Sequence, residues 1–222
     1  MSDPQPAGPK PRLALLSPYG LGPAEAEAAA GALDAACAAG DVAAVILRLA
    51  PSDERSLVSL LKRLCPPAQE RGAAVVVAVP EYPGDLVSVS ARGGADGVHV
   101  DRAEDETLRD LRGRLRDGRI LGAGGVLGSR DAAMLAGEAG VDYLLFGGLF
   151  ADGGAPDAAD VRERAAWWAE IFETPCIAVA AQADEVAALA ATGAEFVGLE
   201  SALWFGDAEG VRTAQAALDK AR

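Results

Sequence analysis

The chain has 222 residues, half of them hydrophobic, with 20 basic and 33 acidic residues and a formal net charge of −13. This length suits one large domain or two small ones with a substantial buried core. The negative charge argues against nucleic acid and anionic membrane surfaces as partners, and no apolar run approaches the ~20 residues that are needed to span a bilayer.

The amino-terminal stretch, "MSDPQPAGPKPR", is rich in proline and lacks the apolar segment of a signal peptide. We therefore predict a flexible tail over residues 1–12, a barrel domain over residues 13–222 and a cytoplasmic location. The cysteines form no C-x-x-C pair, which argues against disulfide and zinc frameworks. Cys176 lies within an apolar run, where a buried free thiol is the simplest interpretation.

Eight short apolar runs alternate along the chain with amphipathic segments. Most of them are apolar at every position rather than at every second one, which is typical of parallel strands that are buried on both faces. The runs are "LALLS" from Leu13, "AAVILRL" from Ala43, "AAVVVAV" from Ala73, "DGVHV" from Asp96, "RILGA" from Arg119, "DYLLFG" from Asp142, "CIAVA" from Cys176 and "EFVGL" from Glu195.

The segments between these runs carry helix start and stop signals. In the second segment, Ser52 or Asp53 is the expected N-cap, and Pro66-Pro67 is expected to interrupt the helix. Eight β–α units in this length predict an α/β protein of the (β/α)8 TIM barrel type, for which ~250 residues is typical. A doubly wound open sheet is the alternative, although "SPYGLGPAEAE" is a weak version of its glycine-rich turn.

A short pattern recurs where a predicted helix ends and the next strand begins. It consists of a glycine, a small residue, an acidic residue and the first strand residue. The pattern occurs at Gly94-Ala95-Asp96-Gly97, Gly140-Val141-Asp142-Tyr143 and Gly193-Ala194-Glu195-Phe196. Its recurrence indicates repeated structural units and supports the barrel.

The segment "GGADGVHVDRAED", residues 93–105, contains the only histidine, His99, at the end of the fourth predicted strand. In a (β/α)8 barrel the chemistry is located at the carboxyl ends of the strands, so the acids that follow His99 lie at the appropriate end for a site. Acidic residues also favour the first turn of a helix, which is the structural alternative for Glu104 and Asp105. A single histidine without partners at ligand spacing is more often a satisfied buried residue than a metal ligand.

Four motifs together resemble the thiamine-phosphate synthase and thiazole tautomerase family in order and spacing. They are "GADGVHV" followed by acidic residues, "GVDYLLFGGLF", "TPCIAVAAQ" and "GAEFVGLESAL", and the resemblance runs from about Ala43 to Trp204. It implies a (β/α)8 barrel and a synthase that joins hydroxymethylpyrimidine diphosphate to thiazole phosphate and releases pyrophosphate. It also implies magnesium as the cofactor, with Asp101 and Glu104 as candidate ligands.

The chain departs from the family pattern at most of the positions that contact phosphate groups. Only Arg48 remains of a Gln-x-Arg-x-Lys pattern, and no lysine follows Gly147-Gly148. Two glycines of a phosphate loop are replaced by Ala180-Ala181, whose Cβ atoms obstruct the approach of backbone N–H groups to an anion. Ser201 matches the last phosphate-side position.

The resulting candidate residues allow more than one interpretation. Arg48 either binds an anion or pairs with an acid at a strand end, and Gly147-Gly148 belongs to a phosphate cradle or to a simple turn or lid. Trp204 either fills the phosphate space or stacks on a heterocycle. The candidate ligand-binding residues are Arg48, Arg102, Gly147, Gly148, Ser201 and Trp204.

Two functions follow from these observations. The first is a diverged or catalytically degraded barrel protein that binds a small ligand, phosphorylated or not, or a protein partner, and the second is an active synthase with a rearranged site. Of the adjacent Trp167 and Trp168, we expect one to pack on the barrel with Phe172. The other lies at a subunit interface of a homodimer or is simply packed.

Overall fold

The computed structural model describes residues 10–115, 118–149 and 154–220, so residues 1–9 of the predicted tail lie outside the described residues. Eight parallel strands form a closed barrel in chain order, and β1 pairs with β8. The strands are β1 (Arg12–Leu16), β2 (Val42–Arg48), β3 (Ala74–Ala78), β4 (Gly97–Asp101), β5 (Ile120–Gly124), β6 (Tyr143–Phe146), β7 (Cys176–Ala180) and β8 (Phe196–Leu199). The closure confirms the predicted (β/α)8 barrel and excludes the open sheet.

One helix follows each strand. The helices are α1 (Ala26–Ala39), α2 (Glu54–Gln69), α3 (Leu86–Gly93), α4 (Asp105–Arg114), α5 (Arg130–Glu138), α6 (Ala158–Ile171), α7 (Val186–Ala190) and α8 (Glu209–Lys220). Short 3-10 turns precede α1 and α7, and another follows β8. None of the helices in the described ranges is long and apolar enough to cross a membrane.

Both faces of the barrel strands are buried, which explains their apolar composition. In β1, Ala14 and Leu16 belong to a cluster inside the barrel, whereas Leu13 and Leu15 pack in the layer between the strands and the helices. Cys176, the first residue of β7, is fully buried and free, as predicted. Burial raises the pKa of its thiol to about 12, and the nearby Glu195 adds to this rise.

The recurring glycine–acid pattern ties neighbouring strands together at their amino-terminal ends. Its glycines adopt positive φ angles of 85°, 83° and 90°, a conformation that disfavours side chains. Each acid then accepts a backbone N–H from the preceding strand. The pairs are Asp96 with Val75 at 2.7 Å, Asp142 with Leu121 at 2.7 Å and Glu195 with Cys176 at 3.0 Å. The repeat is therefore structural.

Helix α2 begins as predicted but ends differently. The Asp53 side chain accepts the backbone N–H of Ser56 and caps the helix. The prediction that Pro66-Pro67 interrupts this helix is wrong, because α2 continues to Gln69. The prolines lack two N–H donors, yet the Glu70 N–H bonds to the Pro66 carbonyl at 2.9 Å and completes the final turn. Burial of the apolar face of α2 offsets the missing hydrogen bonds.

The two adjacent tryptophans on α6 have different environments. Trp168 is buried, stacks on Phe172 with ring centroids 4.0 Å apart, and donates its indole N–H to the Thr174 carbonyl at 2.7 Å. It is therefore the ring that was expected to pack on the barrel with Phe172. Trp167 is half-buried and contacts the guanidinium groups of Arg130 and Arg164. The homodimer stays a prediction.

Candidate active site

A cavity of about 1130 Å³ opens at the carboxyl ends of the strands. Its walls come from the ends of β1 and β2, from the loops after β1 and after β3 to β6, and from residues of α3, α4 and α6. Arg48, Asp101, Arg102 and the Gly147-Gly148 pair all line it, so the structure brings these predicted site residues to one space. Three other candidates do not line the cavity: Glu104, Ser201 and Trp204.

The Trp204 ring is buried beneath the mouth of the barrel. It is 1% exposed and donates its indole N–H to the Leu16 carbonyl at 3.2 Å. Ser201 begins the short 3-10 turn after β8. Trp204 therefore fills space behind the strand ends, in line with the filling interpretation, and offers no ring face to a ligand.

Arg48 is held in a buried ion pair with Glu200, which directly follows β8. Two guanidinium nitrogens donate to the two carboxylate oxygens at 2.9 and 2.6 Å, and the residues are only 4% and 0% exposed. The Arg48 Nε donates to the Ser17 carbonyl at 2.6 Å, and the Tyr19 ring covers the guanidinium at 4.1 Å. Arg48 therefore pairs with an acid at a strand end, which is one of the two interpretations that the sequence allows.

Glu200 also fixes the loop that follows β6. One carboxylate oxygen accepts the Leu149 N–H at 2.7 Å, and the other accepts the Ser201 N–H at 3.2 Å. The positive φ angles of Gly147 and Gly148, 98° and 85°, bring Leu149 into this position. Glu200 thus occupies a guanidinium and two backbone donors that an anionic ligand would otherwise use.

A second carboxylate occupies the backbone donors after β7. Glu185 accepts the N–H groups of Ala181 and Gln182 at 2.7 and 3.2 Å. Ala181 and the preceding Ala180 are the two alanines that stand in place of the glycines of the family's phosphate loop. The alanines and the internal carboxylate act in the same direction, since both keep a phosphate away from this loop.

His99 connects the interior of the barrel to Asp101 in the cavity. Its Nδ1 lies 2.9 Å from the Tyr143 hydroxyl, and its Nε2 lies 3.3 Å from the Asp101 carboxylate. When the ring is neutral, the phenol donates to Nδ1 and Nε2–H donates to Asp101. His99 is 4% exposed, as expected of a satisfied buried histidine, and it orients a carboxylate that lines the cavity.

Two glycines of β5 leave room for this network. A Cβ on Gly122 would lie 2.1 Å from the Tyr143 ring, and one on Gly124 would lie 2.3 Å from an Asp101 oxygen. Both distances are too short for real atoms, so side chains at these positions would displace the network. The sequence "GAG" in β5 therefore has a packing role that its apolar character did not indicate.

The network and the nearby cations keep Asp101 ionised. Burial raises the pKa of Asp101, but the hydrogen bond from His99 and the charges of Arg48 and Arg102 outweigh burial, so the pKa is lowered. Burial raises the pKa of Tyr143 well above its usual value, and the charges of Asp101 and Asp142 add to this rise. The phenol accordingly stays protonated as a donor to His99.

The donor set fits a magnesium ion only if the ligand completes it. Residues 10–115, 118–149 and 154–220 contain no group of three or more His, Cys, Asp or Glu residues that could hold a metal. Asp101 lines the cavity with 42% of its side chain exposed, whereas Glu104 is the exposed N-cap position of α4. Magnesium commonly takes one or two carboxylates together with substrate phosphate and water oxygens. Asp101 suits that mode.

Arg102 is the cation next to this carboxylate. Its φ of 53° is unusual for a side-chain-bearing residue, and its N–H donates to the Gly124 carbonyl at 3.0 Å. The Arg102 guanidinium forms no ion pair with any residue of the described parts of the chain, in contrast to Arg114, which pairs with Asp85 and Asp110. Asp101 and Arg102 thus offer a carboxylate and an open cation side by side.

Comparison with known proteins agrees with the resemblance seen in the sequence. Residues 21–203 match the family model described as thiamine monophosphate synthase. The chain is 36% identical over 200 residues to a thiamine-phosphate synthase of Rhodospirillum centenum, covering 87% of this chain and 89% of the relative. It is 30% identical over 213 residues to one of Hyphomonas neptunium, covering 92% and 90%.

A solved structure agrees with the fold. The thiamine phosphate pyrophosphorylase from Pyrococcus furiosus superposes with a TM-score of 0.70 at 22% identity, covering 96% of this chain and 97% of that chain. The matched family region includes every strand from β2 to β8 and the cavity residues from Arg48 to Arg164. The chain belongs to the thiamine monophosphate synthase family.

Proposed function

We propose that this protein is a thiamine-phosphate synthase with a rearranged site, which couples hydroxymethylpyrimidine diphosphate to thiazole phosphate and releases pyrophosphate. The observation that carries this proposal is the open cavity at the carboxyl ends of the strands, where Asp101 and Arg102 stand side by side. Curated thiamine-phosphate synthases that align with most of this chain support it. An active synthase is therefore favoured over a catalytically degraded scaffold.

The chemical demand of this reaction is the stabilisation of departing diphosphate. Negative charge develops on the leaving group, and cations placed near it lower the barrier. Arg102 supplies one such cation, and magnesium, when bound, would supply further positive charge. Asp101 would hold the metal, while His99 keeps the carboxylate oriented. Leu16, Ile46 and Leu145 provide apolar wall for the heterocycles and help to exclude water.

Ligand binding without turnover is the second candidate. It is favoured by Glu200 and Glu185, which occupy the donors around Arg48 and after β7. Removal of one stabilising group from a catalytic site typically costs about 10²–10³ in rate. A cavity that has lost several of them would retain affinity for a phosphorylated heterocycle before it retained useful turnover.

A coupled measurement separates the two candidates. The purified chain is incubated with both substrates and magnesium, thiamine phosphate is quantified by chromatography, and pyrophosphate is quantified in the same samples. Equal amounts of the two products are expected of the synthase. Calorimetric heat of substrate binding without either product would favour the second candidate, and absence of both heat and product at millimolar substrate would refute both.

Several further properties are part of the same proposal. A small-molecule ligand, a cytoplasmic location and the absence of nucleic-acid and membrane partners fit an enzyme of this class, and the net charge of −13 supports the exclusion of nucleic acid. We also propose a homodimer. Light scattering of the purified protein tests that state directly, with a mass near the 22.6 kDa of one chain as the contrary result.

A further inference from the structure

The cavity extends away from Asp101 along the first turns of α6. Asp157, Asp160 and Arg164 all line it, at intervals of three and four residues that place them on one helical face. Asp157 is the N-cap of α6 and accepts the Ala159 N–H at 2.7 Å. Different residues therefore form this helical wall of the cavity and the strand ends where Arg48 and Asp101 lie.

Arg164 is a cation of this wall without an anionic partner. Its Nη1 is shielded from solvent, and among residues 10–115, 118–149 and 154–220 it has no hydrogen-bond partner and Arg164 forms no ion pair. Its guanidinium lies 5.6 Å from the centre of the Trp167 ring. Arg130 contacts the same ring at 4.9 Å but pairs with Glu163 at 3.1 Å. Of these two arginines, only Arg130 has a carboxylate partner among the described residues.

A buried guanidinium nitrogen without an acceptor is unfavourable, so such a group in a cavity wall indicates a missing partner. The partner must accept hydrogen bonds and carry negative charge to match the guanidinium. The chain's own nearby acid does not fill this role, since Asp160 forms no ion pair with Arg164 although it lies four residues before it. An anion supplied by a ligand satisfies both requirements.

We propose that Arg164 forms an anion subsite of this cavity, which binds a phosphate group of the substrate on the α6 side. The proposal rests on the proposed function in one respect, namely that the anion belongs to a phosphorylated substrate. It also explains where a phosphate group goes in this chain, because Glu200 occupies Arg48 and Glu185 occupies the donors after β7.

Calorimetric titration with inorganic phosphate and, separately, inorganic pyrophosphate tests the subsite. Arg164→Gln is expected to weaken binding of at least one anion about tenfold or more, because a charge-assisted contact is lost. Arg162→Gln is the matched control, since Arg162 is an exposed arginine of the same helix that does not line the cavity. Asp160→Asn is expected to tighten binding, because a like charge is removed from the same wall.

Equal affinities of Arg164→Gln and Arg162→Gln would overturn the proposal, as would absence of binding of both anions to the wild type at millimolar concentration. Thermal unfolding shows whether Arg164→Gln is folded; because Nη1 has no hydrogen bond to lose, its melting temperature should stay close to that of the wild type. The anion should raise that temperature more in the wild type than in the variant. If Arg164→Gln does not fold, Arg164→Lys takes its place. This variant keeps the charge but loses the planar donors, so it is expected to weaken anion binding by a smaller factor.

The subsite and the proposed synthase can fail separately. If anion binding depends on Arg164 but the protein forms no product, the subsite is supported and the synthase activity is refuted. If the protein forms product and Arg164→Gln leaves the Michaelis constants for the substrates unchanged, the synthase activity is supported and the subsite is refuted.

Discussion

The mouth of the barrel has a closed half and an open half, which differ in whether their charged and donor groups already have partners within the protein. On the side of β7, β8 and β2, the carboxylates of Glu185 and Glu200 occupy the available donors, and Arg48 is sealed into a buried pair. On the side of β4 and α6, Arg102 and Arg164 face the cavity without an ion pair among the described residues. A group that is already satisfied stabilises the fold, whereas one that is open can bind a ligand.

This difference separates residues that the family pattern would group together. Arg48 is the surviving member of the phosphate-binding motif, yet its guanidinium is already paired with Glu200 in this chain. Burial of both charges is tolerable only because each has several hydrogen-bond partners. The open half contains Asp101, Arg102 and Arg164, the groups that remain available to bind a ligand.

The largest expected effect comes from breaking the buried pair. Glu200→Ala leaves the Arg48 charge uncompensated and should lower the free energy of unfolding by about 3–5 kcal/mol, measured by urea denaturation at pH 7. Asp41→Ala is the control, since it breaks the exposed pair with Arg12 and should cost about 1 kcal/mol or less. Similar losses in the two variants would contradict the division of the mouth into a closed and an open half.

The second expected effect concerns activity in the open half. Asp101→Asn should reduce the rate of thiamine phosphate formation by about 10²–10³-fold, because it removes the carboxylate that would hold magnesium. Its magnesium dependence should weaken in the same assay. Asp131→Asn changes an exposed acid outside the cavity lining and should leave the rate unaltered. A fully active Asp101→Asn protein would place the chemistry elsewhere.

The same aspartate also predicts how stability depends on pH. The pKa of Asp101 is lowered in the folded state, so its ionised form stabilises the fold at pH values above its unfolded pKa, about 3.9. That contribution disappears as the pH falls through the lower folded pKa. Asp101→Asn should therefore flatten part of the acid limb of the stability curve, and an unchanged acid limb would contradict the lowered pKa.

The sequence predicted the scaffold well because the scaffold depends on local patterns. Continuous apolar runs located all eight strands, and Asp53, which caps α2, was one of the two residues expected there, with Ser52 the other. The ion pair of Arg48 with Glu200 joins residues 152 positions apart, so no spacing rule could reveal it; the only signal was an acid immediately after a strand. Arg164 was missed because a helical arginine is normally solvated, and the burial of its Nη1 depends on tertiary packing that a local pattern does not reveal.

A smaller effect is expected from Glu185, which holds the backbone after β7. Glu185→Gln retains one acceptor but loses the charge, and it should lower the free energy of unfolding by about 0.5–1 kcal/mol. If this carboxylate also keeps anions away from the loop, the variant should bind inorganic phosphate no more weakly than the wild type. Weaker phosphate binding would indicate that the loop after β7 belongs to the open half instead.

An effect of similar size is expected from Tyr19, whose side chain contacts both Arg48 and the loop that follows β6. Its hydroxyl donates to the Leu149 carbonyl at 2.9 Å while its ring covers Arg48, so Tyr19→Phe should lower the free energy of unfolding by about 0.5–1.5 kcal/mol and keep the ring contact. Burial raises the pKa of Tyr19; Arg48 opposes this rise, and the charges of Asp101 and Glu200 add to it, which leaves the pKa raised. The stabilising contribution of the protonated phenol is therefore complete below about pH 10 and is lost as the pH rises through the folded pKa. Urea denaturation between pH 7 and 11 should show the wild type approaching the Phe variant at the alkaline end, and a constant difference between the two proteins would mean that the hydroxyl does not act as a donor across the mouth.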